Sequence, residues 1–280
     1  MITLRIGFIA CMLFVTGSLS ADGGLLDALK ARSPEAFTER EWTVSGDRRT
    51  AFIRVPRDTS VPLAVVFCWH GHGGRAAQAA RRWGFEKVDT TSILVFPQGL
   101  PTVSPLVDRE GRMSGWQTVV GERGDRDIQL FDSILGDLRR EYSVDQHRIY
   151  SMGHSNGGAF SYLLWQARPR VLAAVGAVAG GLRGDVGPLP PLPVIHVAGE
   201  QDTLVKFSWQ ERTFAEVRRF NRCSETGRFW AKAGVLNATV FPSNQGAPLV
   251  TAIHGGGHEY ADGSSQLIAR FFKEQRRAGR

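Results

Sequence analysis

The 280-residue sequence has few cysteines, no internal repeat, no low-complexity tract and no apolar run long enough to cross a membrane. Its N-terminal apolar run, residues 6–15, is shorter than the roughly 20 residues that a spanning helix needs. No nucleic-acid-binding motif accompanies the basic residues, so nucleic acid is not an expected partner. A chain that is 42% hydrophobic and contains 32 glycines is instead expected to bury one large core with many tight turns.

The first twenty residues have the three parts of a secretory signal peptide. Arg5 precedes the apolar run, and small residues occupy the positions just before Ala21. We therefore expect residues 1–20 to be removed, which leaves residues 21–280 as a single secreted or periplasmic domain without a transmembrane segment. A retained amphipathic anchor and a lipid-modified Cys11 are the two alternatives for this segment.

Charge and cysteine content narrow the class of protein only slightly. The formal net charge is +7, and removal of Arg5 with the signal leaves 7 − 1 = +6. The surplus lies in clusters of Arg and Lys on expected helix faces, which a solvated basic surface explains. Of the three cysteines, Cys11 lies within the signal, so that Cys68 and Cys223 remain. These two either form a disulfide or stay free thiols, and the sequence leaves both open.

Short apolar segments alternate with helix-patterned segments along most of the chain. The pattern predicts a hairpin at 41–56 and strands at 63–69, 92–96, 148–152, 172–179, 193–198, 238–241 and 249–253. It predicts a loop over 100–126, Asp127 as a helix cap, and helices at 76–85, 128–138, 159–167, 209–221 and 266–276. Such alternation predicts an α/β fold with a mostly parallel central sheet and helices on both faces. Ligands of these sheets bind at the carboxyl ends of the strands.

The segment GHSNG, residues 153–157, carries the strongest chemical pattern of the sequence. Ser155 stands between two glycines, with a strand expected before it and a helix after it. This is the G-x-S-x-G nucleophile elbow, in which a tight turn lifts the serine hydroxyl clear of the backbone. The helix N-terminus behind the serine favours developing negative charge. The pattern predicts a nucleophilic serine, and a plain glycine-rich turn is the alternative.

A serine nucleophile needs a base, and the base needs an acid that orients it. Asp202 follows the strand predicted at 193–198, and His258 follows the last predicted strand. The order serine, acid, histidine along the chain is the order found in hydrolases with a nucleophile elbow. We therefore predict Asp202 as the acid and His258 as the base. Glu200 and His254 are the competing choices, the first expected at the rim and the second within a strand.

An oxyanion formed at the serine needs backbone donors. The amide of Asn156 follows the serine, and the glycine-rich loop WHGHGG, residues 69–74, offers a second donor. We predict the amide of His72 for this role, with Gly71 as the alternative. His70 and His72 also have a metal-ligand spacing, which would suit a zinc hydrolase, but no third ligand follows at close spacing. The prediction is therefore that the protein uses neither a metal nor an organic cofactor.

Three side chains near the predicted site are candidates for contact with the substrate. Trp116 lies in the loop 100–126, and Trp209 comes shortly after the predicted acid. Either ring can stack on a sugar or on an aromatic acyl group, and a position at the edge of the core is the alternative for both. His154 directly precedes the predicted nucleophile, so that we expect it beside the bound substrate.

Several motifs occur in an order that resembles one branch of the α/β-hydrolases. From about residue 62 to the C-terminus the chain contains, in this order, HGHGG, FPQG, GWQ, SMGHSNGGAF, GEQDTLV, FNRC and GGGHEY. It resembles the catalytic domains of secreted feruloyl esterases and poly(3-hydroxybutyrate) depolymerases, the carbohydrate esterase 1-like group. The resemblance implies an α/β-hydrolase fold and hydrolysis of carboxylic esters through an acyl-enzyme. The substrates implied are feruloyl or acetyl esters of polysaccharides, or hydroxyalkanoate polyesters.

Residue by residue, the resemblance assigns Ser155 as nucleophile, Asp202 as acid, His258 as base and 70–74 as the oxyanion loop. The sequence departs from the family around Trp116, where relatives often have cysteine. An acyltransferase on the same triad and a non-catalytic binding protein with a hydrolase fold are the alternative functions. The sequence indicates no oligomeric state.

Overall fold

A ten-stranded sheet forms the centre of the computed structural model, which describes residues 36–184 and 186–278. The predicted signal peptide, residues 1–20, lies outside the described residues. Strands β5 and β6 form a separate two-stranded ribbon, and the other strands belong to the large sheet. In chain order the strands are β1 Thr38–Val44, β2 Asp47–Arg54, β3 Leu63–Trp69, β4 Ile93–Pro97, β5 Leu100–Pro101, β6 Ser114–Gly115, β7 Val144–His154, β8 Ala174–Val178, β9 Val194–Gly199, β10 Arg228–Ala233, β11 Leu236–Phe241 and β12 Leu249–His254.

The strand order in the large sheet is β1-β2-β4-β3-β7-β8-β9-β12-β11-β10. In the middle of the sheet, β4, β3, β7, β8, β9 and β12 run parallel to one another. At the two edges, β1 and β2 on one side and β11 and β10 on the other pair antiparallel with their neighbours. This topology confirms the predicted α/β-hydrolase class with a mostly parallel central sheet. It also brings the carboxyl ends of β3, β7, β9 and β12 to one edge, where the predicted site residues follow.

Helices cover both faces of the sheet. In the described part of the chain they are α1 Ala76–Arg82, α2 Phe85–Val88, α3 Arg126–Glu141, α4 Asn156–Ala167, α5 Phe207–Asn221 and α6 Ser264–Glu274, with a 3₁₀ turn at Glu122–Asp125 before α3. Alternation along β3 shows how the two faces are filled. Phe67 and Trp69 pack in one apolar cluster with residues of α3 and α4, whereas Val66 and Cys68 pack in the other with residues of α1 and α6.

The described elements differ from the predicted ones in several places, such as the short strands β5 and β6 within the predicted loop 100–126. Strand β10 was not predicted, and helix α4 begins at Asn156, three residues earlier than expected. Asp127 is wrong as a helix cap, since Asp125 occupies that position and Asp127 lies buried in the first turn of α3. Its carboxylate instead pairs with Arg49 at 2.8 Å. The ion pair with the buried guanidinium of Arg49 therefore holds the Asp127 side chain inside the protein.

Cys68 and Cys223 are both free thiols. Cys68 lies in the middle of β3, where burial raises the pKa of its thiol, and Cys223 follows α5. Of the two alternatives left open by the sequence, the structure therefore has the free thiols. None of the helices within the described ranges combines the length and the hydropathy of a membrane-spanning segment.

Candidate active site

Ser155 stands at a sharp turn between the end of β7 and the start of α4. Its backbone has φ 55° and ψ −118°, which L-residues rarely adopt. A Cβ atom at Gly157 would overlap the carbonyl oxygen of Trp69, and one at Gly153 would overlap the backbone of Gly157. The two glycines around the serine are thus required by the close approach of neighbouring backbone, as in a nucleophile elbow.

Three polar side chains form a hydrogen-bonded chain at the carboxyl edge of the sheet. Nε2 of His258 lies 2.8 Å from the hydroxyl oxygen of Ser155, and Nδ1 of the same ring lies 2.8 Å from Oδ2 of Asp202. Asp202 follows β9 and its side chain is fully buried, whereas His258 follows β12 and its side chain is 20% exposed. This geometry suits a nucleophile, a base and an orienting acid.

Several donors fix the carboxylate of Asp202. Its Oδ1 atom accepts the backbone amides of Leu204 and Val205, both at 2.9 Å. Its Oδ2 atom accepts the side-chain amide of Gln210 at 3.1 Å. The side-chain Oε1 atom of Gln210 lies 3.0 Å from Nε2 of His196, which extends the network into the core. No sequence pattern marks Gln210, because the packing of α5 against β9 is what brings it to the carboxylate.

The two competing residues lie outside this hydrogen-bonded chain. Glu200 is exposed in the turn that follows β9. His254 is the buried last residue of β12, and its Nδ1 atom lies 3.4 Å from the carboxylate of Glu259. Neither side chain belongs to the network that reaches the serine.

The glycine-rich loop after β3 passes directly over the elbow. A Cβ atom at Gly71 would lie 3.1 Å from Nδ1 of His154 and 3.4 Å from the Cβ of Ser155, so the glycine lets the backbone come this close. Gly71 and His72 line the same cavity as the serine. The amide of Asn156 is the first in α4 and therefore has no acceptor within the helix. Both predicted sources of oxyanion donors border the serine.

Asp108 ties the loop after β3 to the segment 102–113, which covers one side of the site. Its carboxylate accepts the backbone amides of Met113 at 2.8 Å and Arg112 at 3.2 Å, and it lies 3.1 Å from Nε2 of His72. These donors, first that of Met113, lower the pKa of Asp108 to about 2. Because an ionised carboxylate only accepts hydrogen bonds, Nε2 of His72 carries the proton.

We expect Asp108→Ala to lower kcat/KM for a bulky ester such as methyl ferulate about tenfold, because segment 102–113 loses its hydrogen bond to His72 of the loop after β3 and the bonds from its own Arg112 and Met113 amides. Steady-state kinetics on the purified protein measure the effect. Glu110→Ala is the matched control, since Glu110 is an exposed residue of the same segment that pairs with its neighbour Arg112. Equal kcat/KM values for the two variants would contradict the expected role of Asp108.

A cavity of about 440 Å³ opens above Ser155. Pockets for small ligands commonly measure roughly 300–1,000 Å³, so this volume suits the acyl part of an ester. Its apolar lining comes from segment 102–113 and from the turn after β9, and includes Val103, Pro105, Leu106, Val107, Met113, Leu204 and Val205. An apolar wall therefore lies next to the serine hydroxyl.

The two tryptophans predicted to bind substrate lie in different environments. Trp116 is fully buried, its ring packs on Trp69 and Phe160, and its indole N–H donates to the carbonyl oxygen of His70 at 2.7 Å. Of the two alternatives for Trp116, the structure therefore has the position in the core, and the predicted stacking of its ring on substrate is wrong. Trp209 is half-buried on α5 beside a groove that adjoins the cavity. Its contact with substrate stays a prediction.

Burial lowers the pKa of three histidines, His70, His154 and His196, to about 4. The ring centroid of His154 lies 5.1 Å from that of His258, and His154 also lines the cavity. A ring that stays neutral at this place adds no positive charge beside His258. The predicted contact of His154 with substrate stays a prediction.

We expect the free energy of unfolding to fall as the pH is lowered from about 6.5 to about 4. In this window the three buried histidines take up protons in the unfolded chain but not in the folded one, so that acid favours unfolding. Each histidine contributes up to about 1.4 kcal/mol per pH unit. Urea titrations across the window measure the slope, and His196→Gln should make it shallower. A free energy of unfolding that stays constant across the window would contradict this prediction.

The histidines of the loop after β3 contact protein groups. Nε2 of His70 accepts the backbone amide of Gly99 at 3.0 Å, and His72 faces Asp108. Within the described ranges, no group of three or more His, Cys, Asp or Glu side chains is arranged to hold a metal ion. The absence of a metal or organic cofactor stays a prediction.

Comparison with known proteins identifies esterases. No family model matches the chain. A probable feruloyl esterase C from Aspergillus oryzae is 26% identical over 226 residues, which cover 76% of this chain and 77% of that protein. The fold is similar to that of an acetyl xylan esterase from Aspergillus awamori, with a TM-score of 0.63, 14% identity and coverage of 84% and 99%. A CE1 ferulic acid esterase from Anaeromyces mucronatus, in complex with ferulic acid, has a TM-score of 0.60, 15% identity and coverage of 86% and 90%.

Proposed function

We propose that this ester hydrolase belongs to the carbohydrate esterase 1-like group of α/β-hydrolases and acts as a serine esterase through Ser155, His258 and Asp202. One observation carries the proposal: hydrogen bonds run from the Ser155 hydroxyl through both ring nitrogens of His258 to the buried carboxylate of Asp202. The three residues come from separate segments of the chain. Their convergence within hydrogen-bonding distance supports a common role in catalysis.

The proposed reaction proceeds through an acyl-enzyme. His258 takes the hydroxyl proton of Ser155 through Nε2 as the serine oxygen attacks the ester carbonyl carbon. Asp202 accepts the hydrogen bond of Nδ1–H, which keeps the imidazole in the useful tautomer and stabilises the imidazolium. The imidazolium then protonates the leaving alcohol as the ester C–O bond breaks. Water, deprotonated by His258, attacks the acyl-enzyme, releases the acid and restores the serine.

Backbone N–H groups stabilise, through hydrogen bonds, the negative charge that develops on the carbonyl oxygen of the ester. We assign this role to the amides of Asn156 and His72, with Gly71 as the alternative to the second. Asn156 begins α4, so that the helix N-terminus adds a favourable potential at the same point.

The expected acyl group is feruloyl or acetyl. The lining of the cavity above Ser155 is largely apolar, which favours an uncharged acyl group. The similar proteins are named for feruloyl and acetylxylan esters, and both names fit this environment. We therefore propose acylated polysaccharides or their soluble fragments as the substrate class.

Initial rates on a small panel of esters test the proposed function. The panel contains methyl ferulate, acetylated xylo-oligosaccharides and a soluble 3-hydroxybutyrate oligomer, with p-nitrophenyl acetate as a general ester and Ser155→Ala as the blank. Faster turnover of the first two substrates supports the proposed class. Preference for the oligomer would assign the site to polyesters instead. Undiminished hydrolysis by Ser155→Ala would overturn the proposed triad.

Export of the protein is part of the same proposal. Its support is the pattern of residues 1–20, in which Arg5 precedes an apolar run and small residues precede Ala21. N-terminal sequencing after expression of residues 1–280 in a secreting bacterial host tests it. We expect an exported protein that begins at Ala21. A chain retained in the cells with Met1 intact would contradict export.

A further inference from the structure

A second hollow adjoins the cavity above Ser155. It measures about 710 Å³ and is lined by residues that follow β8 and by one face of α5. Arg183 and Val205 line both hollows, so that the two meet at these side chains. We call the second hollow the arginine groove and define it by Arg183, Trp209, Arg212, Thr213, Glu216 and Arg219. An ester larger than the cavity would extend into this groove.

Arg183 is a half-buried cation without a hydrogen-bond or ion-pair partner among the residues that the structure describes. Two other arginines that are shielded from water are paired: the fully buried Arg49 contacts Asp127, and the half-buried Arg168 contacts Asp132. Burial lowers the pKa of the Arg183 guanidinium, yet a guanidinium stays protonated at neutral pH. Partial removal of this charge from water costs free energy that no described contact offsets. A bound anion would offset it.

The rest of the arginine groove is also basic. Arg212 and Arg219 extend from α5 into it. Glu216, the carboxylate of the described lining, pairs with Arg219 at 2.6 Å. Among the described residues of this lining, no carboxylate therefore neutralises the positive charges of Arg183 and Arg212. The half-buried ring of Trp209 lies in the same groove and offers a flat apolar surface between the charges.

We propose that Arg183 binds a carboxylate of the substrate, and that the alcohol part of the ester is an acidic sugar, a uronic acid unit, held in the arginine groove. This inference rests on the proposed ester hydrolysis at Ser155 and adds the chemical class of the alcohol. The acyl group occupies the apolar cavity. The sugar extends past Val205 into the groove, where its carboxylate meets the guanidinium.

The chemistry of the groove favours a uronic acid over a neutral sugar or a polyester chain. A planar guanidinium forms two parallel hydrogen bonds with a carboxylate, and such charge-assisted pairs are stronger than bonds to a neutral hydroxyl. A neutral sugar would leave Arg183 without an anion. A polyester chain lacks the flat ring face that packs against Trp209, whereas a uronic acid has both the ring and the carboxylate.

Two matched substrates test the inference. They are the methyl glycosides of an acylated glucuronic acid and of the correspondingly acylated glucose, with the acyl group that the ester panel selects, and they differ in one carboxylate. At low salt we expect kcat/KM for the glucuronide to exceed that for the glucoside about tenfold. Salt at roughly 0.5 M should lower this ratio, because it screens the attraction. A ratio near one at low salt would overturn the proposal.

Variants of Arg183 test whether the preference for the glucuronide over the glucoside depends on this side chain. Arg183→Gln should bring the ratio of the two kcat/KM values close to one. Arg183→Lys keeps the charge without the planar fork and should retain part of the ratio. Arg228→Gln is the matched control, because Arg228 is exposed on the edge strand β10 outside the groove, and it should keep the wild-type ratio. The same ratio in wild type and Arg183→Gln would overturn the assignment.

A competition assay adds a readout that needs no acylated sugar. Methyl glucuronide should inhibit the hydrolysis of p-nitrophenyl acetate competitively in the wild type and more weakly in Arg183→Gln, whereas methyl glucoside should have little effect. Equal inhibition by the two glycosides would overturn the proposal.

Hydrolysis of p-nitrophenyl acetate distinguishes a failure of the proposed function from a failure of the acidic-sugar proposal. If Ser155→Ala hydrolyses p-nitrophenyl acetate as well as the wild type does, the proposed function fails and this inference fails with it. If Ser155 is required and the glucuronide is not preferred, only the acidic-sugar proposal fails.

Discussion

Replacing Ser155 with alanine is expected to lower kcat for p-nitrophenyl acetate by about ten-thousand-fold or more while the fold stays intact. Alanine lacks the oxygen that lies 2.8 Å from Nε2 of His258 and that would attack the ester. The backbone of the elbow is kept, because its glycines, and not the serine hydroxyl, admit the close approach of neighbouring chain. Steady-state rates measure the loss, and circular dichroism with thermal melting monitors the fold.

A second serine variant controls for the substitution itself. Ser60 is exposed outside the site, and its hydroxyl donates to Asp58 at 2.6 Å. Ser60→Ala should keep the kcat and the melting temperature of the wild type. If Ser155→Ala keeps a native spectrum and a kcat within tenfold of the wild type, Ser155 is not the nucleophile.

The three residues of the hydrogen-bonded chain, Ser155, His258 and Asp202, could be named from the sequence because local patterns mark each of them. Glycines on both sides of Ser155 indicate a turn that no other residue type permits there. Asp202 and His258 each follow a dense apolar strand, and the carboxyl ends of parallel strands meet at one edge of the sheet. The structure brings all three within hydrogen-bonding distance. Here the chain order and the strand pattern were sufficient.

The position of Trp116 could not be predicted, because it depends on a residue forty positions away. The side-chain oxygen of Asn156 accepts the backbone amide of Trp116 at 2.7 Å, and its side-chain nitrogen donates to the Trp116 carbonyl at 3.0 Å. This pairing draws the middle of a loop rich in Pro, Gly and charge into the core. Asn156 was expected only as an oxyanion donor. The sequence carries no sign that its side chain also positions this loop.

Strand β10 was missed for a different physical reason. It is an edge strand, and Arg228, Phe229 and Lys232 are exposed along it, so that no dense apolar run marks it. Edge strands commonly carry such charges, which discourage pairing with other chains. By contrast, the helical spacing of apolar residues from Ile128 to Leu138 was sufficient for α3, since the residues on that face are buried.

The largest effect on stability is expected at the ion pair between Arg49 and Asp127. Both side chains are fully buried, 2.8 Å apart, and 78 positions separate them in the chain. The second carboxylate oxygen of Asp127 accepts the backbone amide of Gln117 at 2.9 Å, and the side-chain oxygen of Gln117 accepts the Asp127 amide at 3.2 Å. The pair therefore connects β2, α3 and the residue next to Trp116.

We expect Asp127→Ala to lower the free energy of unfolding by about 3–5 kcal/mol, because it leaves the guanidinium of Arg49 buried without its counter-charge. Urea denaturation measures the loss. Replacing both partners, Arg49→Met with Asp127→Leu, should recover much of it, since the desolvation cost of both charges disappears together. Glu41→Ala breaks an exposed pair with Arg48 and should change stability little. A loss from Asp127→Ala as small as that from Glu41→Ala would mean that water reaches Arg49 and that the pair does not hold the loop under the site.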